Sequence, residues 1–394
     1  MNENRHLRVG VIGVGSMGAF HAKELAQGVV ARARLTAVCD PDRAARDRFE
    51  VPRFEDSRAL LRSGLVDAVM IATPHYDHTP IAIDALGLGL HVLCEKPLAV
   101  HKADCEKMIA AYKARPQKSQ VFAEMFQHRT DPPYRKLKEM IATGELGEVR
   151  RINWIVTDWF RTEAYYRSGG WRATWRGEGG GVLLNQCPHN LDLWQWMFGL
   201  PSRVRGFCRF GRYHDIEVED EVTAYLEYDS GATAVFVTTT GEAPGTNRLE
   251  VAGERGKVVL EGDRFSFTRN EMAMSEYSRT TSERFTPPAV WNVTIPMQTA
   301  GSRHRGIWQN FVSAVLDGET PIAPATEGIR SVELGNAILH SAWTGQTVTL
   351  PLDAVAYQRA LEERAATSRY QKPEPAPATD DAARANGADI TKSF

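Results

Sequence analysis

The run Gly179-Gly180-Gly181-Val182-Leu183-Leu184-Asn185-Gln186-Cys187-Pro188-His189-Asn190-Leu191-Asp192-Leu193-Trp194 holds the residues best suited to acid–base chemistry in this chain. Three glycines let the backbone pass close to a neighbour, and a short apolar strand is expected after them. A turn then delivers Asn185, His189 and Asp192 near the start of a helix. Pro188 suits the first helical turn, where its missing N–H costs nothing. His189 and Asp192 are three apart and share one helical face. A histidine so placed can pass protons near neutral pH. It can equally be a satisfied histidine at a helix start, and the run alone does not choose.

Two further chemical pieces follow apolar runs earlier in the chain: Ala72-Thr73-Pro74-His75-Tyr76-Asp77-His78 and Cys94-Glu95-Lys96-Pro97. Ligands of α/β sheets bind at such carboxyl ends of strands. Lys96 can have its pKa lowered by burial or donate to a reacting oxygen. It can also be a solvated lysine paired with Glu95. Gly13-Val14-Gly15-Ser16-Met17-Gly18 is a GxGxxG turn between a first strand and a first helix. Its glycines allow a tight turn, close approach to a pyrophosphate and close helix–strand packing. Asp40, at the end of the second strand, is placed to accept from an adenosine ribose and to repel a 2′-phosphate, which favours NAD. Arg43 nearby leaves a phosphate within reach.

The elements that must position these residues alternate over the first 126 residues. Strands are expected at Leu7–Val14, Arg34–Cys39, Val66–Ala72, His91–Cys94 and Gln120–Phe126, with helices near Ser16–Gln27, Asp42–Phe49, Thr79–Leu88 and Lys102–Ala114. Val66–Ala72 is apolar on both faces apart from Asp67, as in the centre of a covered parallel sheet. A doubly wound parallel (Rossmann) domain over 1–126 follows. Beyond it, a helix at Pro133–Ala142 leads to strands at Glu148–Asp158, Arg203–Phe210, Glu221–Tyr228, Ala232–Thr239 and Lys257–Glu261, then helices at Arg305–Leu316 and Gly328–Trp343. Hairpin-like turns such as Asp229-Ser230-Gly231 predict a mostly antiparallel open sheet with helices on one face, over 127–365. Segment 264–300 reads as a surface excursion with a strand pair and a loop. Residues 366–394, with Pro-Glu-Pro-Ala-Pro, read as a disordered tail.

Composition narrows the class. The chain has 394 residues, 43% hydrophobic and 24% charged, with a formal net charge of −2. There is no basic excess to hold a polyanion, so nucleic acid is not an expected partner. The five cysteines show no CxxC spacing, which predicts neither a disulfide framework nor a metal site and favours a reducing compartment. No apolar signal core or membrane-length run occurs, so a cytoplasmic protein without a membrane partner is expected.

Before the glycine run, Arg161 to Arg176 is dense in arginine and aromatic side chains. Aromatic faces pack on sugar C–H faces and guanidinium forks grip oxyanions. One reading is a wall of Tyr165, Trp171, Arg172, Trp175 and Arg176 for an acidic sugar or glycoside. The other is that Trp171 and Trp175, at i and i+4, are packing residues and the arginines are solvated or ion-paired. Arg129, after the last Rossmann strand, is near any ligand or serves as a structural salt-bridge partner.

Together, Gly13–Gly18 with Phe20-His21, Ala72-Thr73-Pro74 with His78, Glu95-Lys96-Pro97 and the run ending in His189 and Asp192 resemble the glucose–fructose oxidoreductase/inositol dehydrogenase (Gfo/Idh/MocA) family. The resemblance implies a nicotinamide cofactor, NAD, and a carbohydrate substrate oxidised or reduced at a secondary hydroxyl. It implies that Lys96 hydrogen-bonds the reacting oxygen, that His189 is the general acid/base, and that Asn185 and Asp192 orient substrate or His189. Gly13, Gly15, Gly18, Asp40, Thr73, Pro74, His78 and Glu95 would hold the cofactor, with Ser16, Met17, Arg43, His75 and Lys96 beside them. Many members carry Asp four residues before the histidine, where this chain has Asn185. An amide can only hydrogen-bond, so the relay does not carry over intact, and Asp192 or Asp158 is the next acid. The resemblance also implies a homodimer or homotetramer. It leaves open net oxidoreduction, a redox-neutral NAD-dependent glycosidase acting on an anionic glycoside such as a sulfoquinovoside, and a non-catalytic sensor.

Overall fold

The computed structural model describes residues 6–368 apart from 297 and 299. Most of the expected disordered tail lies outside the described residues. Its first two residues instead complete a helix, Ala354–Thr367, which the sequence reading did not foresee.

Six strands, β1 (Leu7–Ile12), β2 (Ala33–Cys39), β3 (Arg53–Phe54), β4 (Ala68–Ile71), β5 (His91–Cys94) and β6 (Phe122–Glu124), form a parallel sheet in the order β3-β2-β1-β4-β5-β6. Every residue of β4 is buried, as a strand covered on both faces requires. The order reverses between β1 and β4, and the Gly13 and Thr73 loops leave the sheet on either side of that crevice. The helix at Asp42–Phe49 is only one turn, Arg43–Arg46, capped by Asp42 accepting from Ala44 N–H. The helix expected from Thr79 begins at His75, directly after Pro74.

Nine strands form the second sheet: β7 (Val149–Val156), β8 (Arg203–Phe210), β9 (Glu219–Glu227), β10 (Thr233–Thr239), β11 (Asn247–Gly253), β12 (Gly256–Glu261), β13 (Arg264–Asn270), β14 (Val290–Thr294) and β15 (Val348–Thr349). All neighbours are antiparallel except β7 and β10. The unforeseen β11 buries only Leu249 and Val251, too short an alternation to stand out. Segment 264–300 supplies the paired strands β13 and β14, with a helix, Met274–Thr280, between them. One sheet face buries Ile152, Trp154, Ala224, Phe236 and Leu249 against helices. On the opposite face a row of Phe207, Thr223, Val237 and Ile155 runs across β8, β9, β10 and β7, with Phe207 56% and Ile155 39% exposed.

The chain does not keep its two halves apart. The helix Arg303–Asp317, expected in the second unit, sends Ile307, Trp308, Phe311 and Val312 into the core beneath the first sheet. The helix Ala325–Thr344 joins both cores, and its Glu333 and Asn336 bind Lys102 at 2.7 and 3.0 Å. This packing fixes one sheet against the other and shapes the cleft between them. Among the described residues no helix is long and apolar enough to cross a membrane.

Candidate active site

The glycine loop has the geometry of a phosphate cradle. Gly13 has φ +82°, and a Cβ there would lie 2.6 Å from the Ala72 carbonyl oxygen. A Cβ on Gly18 would lie 1.7 Å from the Gly13 oxygen, whereas Gly15 faces open space. The outer two glycines are demanded by the fold, and the middle one leaves room for a ligand. Asp40 accepts from Val14 N–H at 2.8 Å and Asp42 N–H at 2.9 Å, which fixes its carboxylate at the mouth of the loop with lone pairs to spare. The groove here is lined by Gly15, Ser16, Phe20, Lys23, Asp42 and Arg48. Arg43 points out of it, exposed and paired with Asp47 at 3.3 Å, so Arg48 is the guanidinium beside the loop. Across the crevice Thr73 Oγ1 is buried without a hydrogen-bond partner among the described residues. The cradle and that free hydroxyl fit a dinucleotide.

Lys96 is held from both sides. Trp308 N–H donates to His21 Nδ1 at 3.0 Å, so His21 Nε2 carries the proton and donates to Glu95 at 2.8 Å. Burial alone would raise the Glu95 carboxyl; the His21 hydrogen bond and the Lys96 charge outweigh it and leave Glu95 below its usual range. Lys96 Nζ donates to the main-chain oxygen of Asn185 at 2.8 Å. Burial brings the Lys96 ammonium down to about 8; Glu95 and Glu178 oppose the fall, while Arg172 and Arg161 deepen it.

His189 opens the helix Pro188–Phe198, with Pro188 in its first turn. Its Nε2 meets the Gln127 amide at 3.1 Å, and its Nδ1, fully buried, has no partner among the described residues. Whichever way the Gln127 amide faces, Nδ1 is the ring atom left for a ligand. Burial, then the Lys96 and His128 charges, hold the His189 imidazolium well below its usual range, so the ring is neutral at physiological pH. A cavity of about 270 Å³ adjoins this centre, lined among others by His128, Asp158, Trp159, Asn190, Arg264 and Arg303. The His128 ring lies 5.0 Å from that of His189.

The strand expected after the three glycines is a turn. Glu219 on β9 takes the N–H groups of Gly181 and Leu183 on its carboxylate, at 2.9 and 3.0 Å, and that of Val182 on its main-chain oxygen. These bonds leave no donors for a strand ladder. A Cβ on Gly181 would sit 2.0 Å from the Glu219 oxygen. The turn carries Asn185, whose Nδ2 makes a short hydrogen bond to Glu178 Oε1 and whose Oδ1 accepts from Tyr165 OH at 3.3 Å. Arg172 donates to the same hydroxyl at 2.9 Å, and Arg161 and Arg172 lie 5.1 and 4.9 Å from the Tyr165 ring centroid. Trp171 stands edge-on to His75, 5.1 Å between centroids, and His75 Nδ1 meets the Glu178 carbonyl at 3.3 Å.

Five residues expected at the ligand are engaged elsewhere. Arg129 and Asp192, both 1% exposed, form a bidentate pair at 2.8 and 2.6 Å, and Arg129 also binds Glu327 at 2.6 Å. Their donors and acceptors are spent on joining the helix Pro188–Phe198 to the interdomain segment. Trp175 is buried against Phe210 and Trp343, and the exposed Arg176 reaches the Ala365 carbonyl at 3.4 Å, toward the last helix. His78 turns both nitrogens to the main-chain oxygens of Pro97 and Thr73, each at 2.9 Å, clamping two cleft loops together. Glu178 and Glu219 carry no signal in the sequence, because acids that serve main-chain or neighbouring amide groups have no spacing signature, whereas Gln127 lies in the stretch Gln127-His128-Arg129 expected near any ligand. Among the described residues no group of three or more His, Cys, Asp or Glu side chains is arranged to hold a metal ion.

Comparison with known proteins agrees with this geometry. Residues 7–123 match the oxidoreductase family model with an NAD-binding Rossmann fold, and residues 134–259 match the GFO/IDH/MocA C-terminal domain. The chain belongs to the Gfo/Idh/MocA oxidoreductase family. Within it, the chain is 29% identical to an inositol 2-dehydrogenase of Rubrobacter xylanophilus, over 91% of this chain and 98% of the relative. It is 26% identical to scyllo-inositol 2-dehydrogenase (NAD(+)) of Bacillus subtilis, over 87% and 96%. The WlbA dehydrogenase of Bordetella pertussis, solved with NADH and UDP-GlcNAcA, superposes with a TM-score of 0.73 at 26% identity, covering 89% of this chain and all of that one. Levoglucosan dehydrogenase, with NADH and levoglucosan, shares the fold at a TM-score of 0.71 and 22% identity. As a Gfo/Idh/MocA protein the chain is an oxidoreductase of the sugar and inositol dehydrogenase type, and NAD is its cofactor.

Proposed function

We propose that the protein moves hydride between NAD and a secondary hydroxyl carbon of a sugar, glycoside or cyclitol that carries an anionic group. The observation that carries this reading is the meeting of Lys96 Nζ with the run bearing His189, whose Nδ1 is buried and without a partner among the described residues. Gly13, Gly15, Gly18, Ser16 and Asp40 would hold the pyrophosphate and ribose, and Thr73 the nicotinamide half. Bound NAD supplies the hydride acceptor at C4 of its nicotinamide ring. In oxidation, the Lys96 ammonium donates to the reacting oxygen and favours its alkoxide form, while neutral His189, with the Gln127 amide turned so that its Oε1 accepts from Nε2–H, takes the hydroxyl proton on Nδ1. In reduction the same proton returns from His189. The buried walls keep water from competing for it.

Arg161 and Arg172 support an anionic substrate, since both already act on Lys96 through their positive charge and flank Tyr165. Asp158 and Asn190, on the adjoining cavity, suit further hydroxyls. The half-exposed row Phe207, Thr223, Val237 and Ile155 supports pairing of two copies through the open sheet face. A panel of neutral and anionic sugars, cyclitols and aryl glycosides, followed at 340 nm with NAD, tests the reading. NADH formed in proportion to an anionic polyol is the expected result. Aglycone release with substoichiometric NAD and no NADH would overturn it in favour of redox-neutral glycoside cleavage.

A further inference from the structure

Two positive charges and two carboxylates act on the Lys96 ammonium. Arg161 and Arg172 face it from the loop before the glycine run, and His75, His189 and His304 stand around it, each held neutral chiefly by burial. Two carboxylates oppose them, Glu95 from Lys96's own loop and Glu178 from across the cleft. Glu178 is 2% exposed. Its Oε2 accepts from Ala173 N–H at 2.5 Å, and its Oε1 takes the short hydrogen bond from Asn185 Nδ2. With Nδ2 committed, Asn185 presents Oδ1 to Tyr165 OH and Gln186 Nε2, at 3.3 and 3.1 Å, and its main-chain oxygen to Lys96 Nζ at 2.8 Å. One residue therefore joins carboxylate to ammonium, its side chain on one and its main chain on the other.

We propose that Glu178 is the positioning acid of this site: through the Asn185 amide it fixes the carbonyl that receives Lys96, and together with Glu95 it sets negative charge against the two arginines. The amide at 185 and the acid at 178 explain each other. An aspartate at 185 would set two carboxylates side by side in a buried place, where one would have to take up a proton. An amide donates to Glu178 without that conflict and leaves its charge in place. Glu178 does not touch the reacting atoms, and its effect reaches them through Asn185 and Lys96.

The inference rests on the reading of Lys96 as the group that binds the reacting oxygen, and its test separates the two. The side-chain nitrogen of Lys96 is titrated by NMR in the NAD-bound holoenzyme labelled with 15N-lysine, its resonance assigned by its loss in Lys96→Arg. Glu178→Gln, which keeps an oxygen for Ala173 N–H, is expected to lower the Lys96 midpoint by about one pH unit. The alkaline fall of kcat/KM should move with it, cutting the rate at pH 8 roughly fivefold. Adding Asn185→Asp to Glu178→Gln should return both toward the parent values. Should Glu178→Gln not fold, Glu178→Ala removes the same charge and should lower the midpoint likewise. An unmoved Lys96 midpoint in the folded variant overturns the inference. A moved midpoint with an unmoved rate profile overturns instead the role given to Lys96.

Discussion

His189 and Asp192 stand one turn apart on the helix Pro188–Phe198, both buried, and their surroundings are opposite. Asp192 spends its carboxylate on Arg129 and Gln195, with bonds of 2.6 to 2.9 Å. Among the described residues His189 has one hydrogen-bond partner for two ring nitrogens, and Nδ1 is unmatched. A buried polar atom without a partner is costly in a folded protein. On the function proposed above, that atom is completed by a ligand, whereas the fully matched Asp192 forms a joint. Two residues that spacing alone makes equivalent are thus divided between chemistry and architecture by what surrounds them.

The sharpest way to break that division is to remove each in turn. His189→Ala is expected to lower turnover by about 10²–10⁴-fold with NAD affinity within roughly twofold and an unchanged melting profile. Turnover kinetics and a fluorescence titration with NADH check this, and loss of cofactor binding would show the histidine to be misplaced. Asp192→Ala is expected to act on the fold instead. Among the described residues it leaves the buried Arg129 guanidinium with the Ile322 carbonyl and the partly exposed Glu327, costing about 3–5 kcal/mol of stability. Urea unfolding measures it, and an unchanged midpoint with lost turnover would move Asp192 back to the substrate.

Proton state sharpens the comparison further. His189 is neutral throughout the working range, so it places no acid limb near pH 6. Lys96 must keep its proton, and activity is expected to be lost as pH rises through about 8, by tenfold per unit beyond it. A rate that climbs through pH 8 would instead make the neutral amine the base. The smallest contrast lies in the arginine-rich loop. Arg172→Ala is expected to raise KM for an anionic substrate by about tenfold, while the outward Arg176→Ala leaves it within roughly twofold. Equal effects would dissolve the distinction between inner and outer guanidinium.

Much of the site was legible in sequence because its local chemistry is carried by short contiguous motifs. Gly13–Gly18, Asp40, Thr73, Lys96 and His189 all stand where strand ends and helix starts put them. Trp175, Arg176 and Arg129 were not separable from ligand contacts, because residue type does not say which way a side chain points. The apolar run Val182–Leu184 has the pattern of a strand, but Glu219, 35 or more residues later, takes Val182 N–H on its main-chain oxygen and Leu183 N–H on its carboxylate.

The sequence by itself determined the parallel nucleotide sheet and a mostly antiparallel second sheet, since hydrophobic periodicity and turn chemistry act within a few residues, and the resemblance of its short motifs gave the family. Only the tertiary structure decided which polar groups are matched. That depends on contacts between Arg129 and Asp192, Glu178 and Asn185, or Trp308 and His21, residues that the fold alone brings together. A buried hydrogen bond is a property of a pair in a low-dielectric setting, and neither member's position in the chain reveals the other.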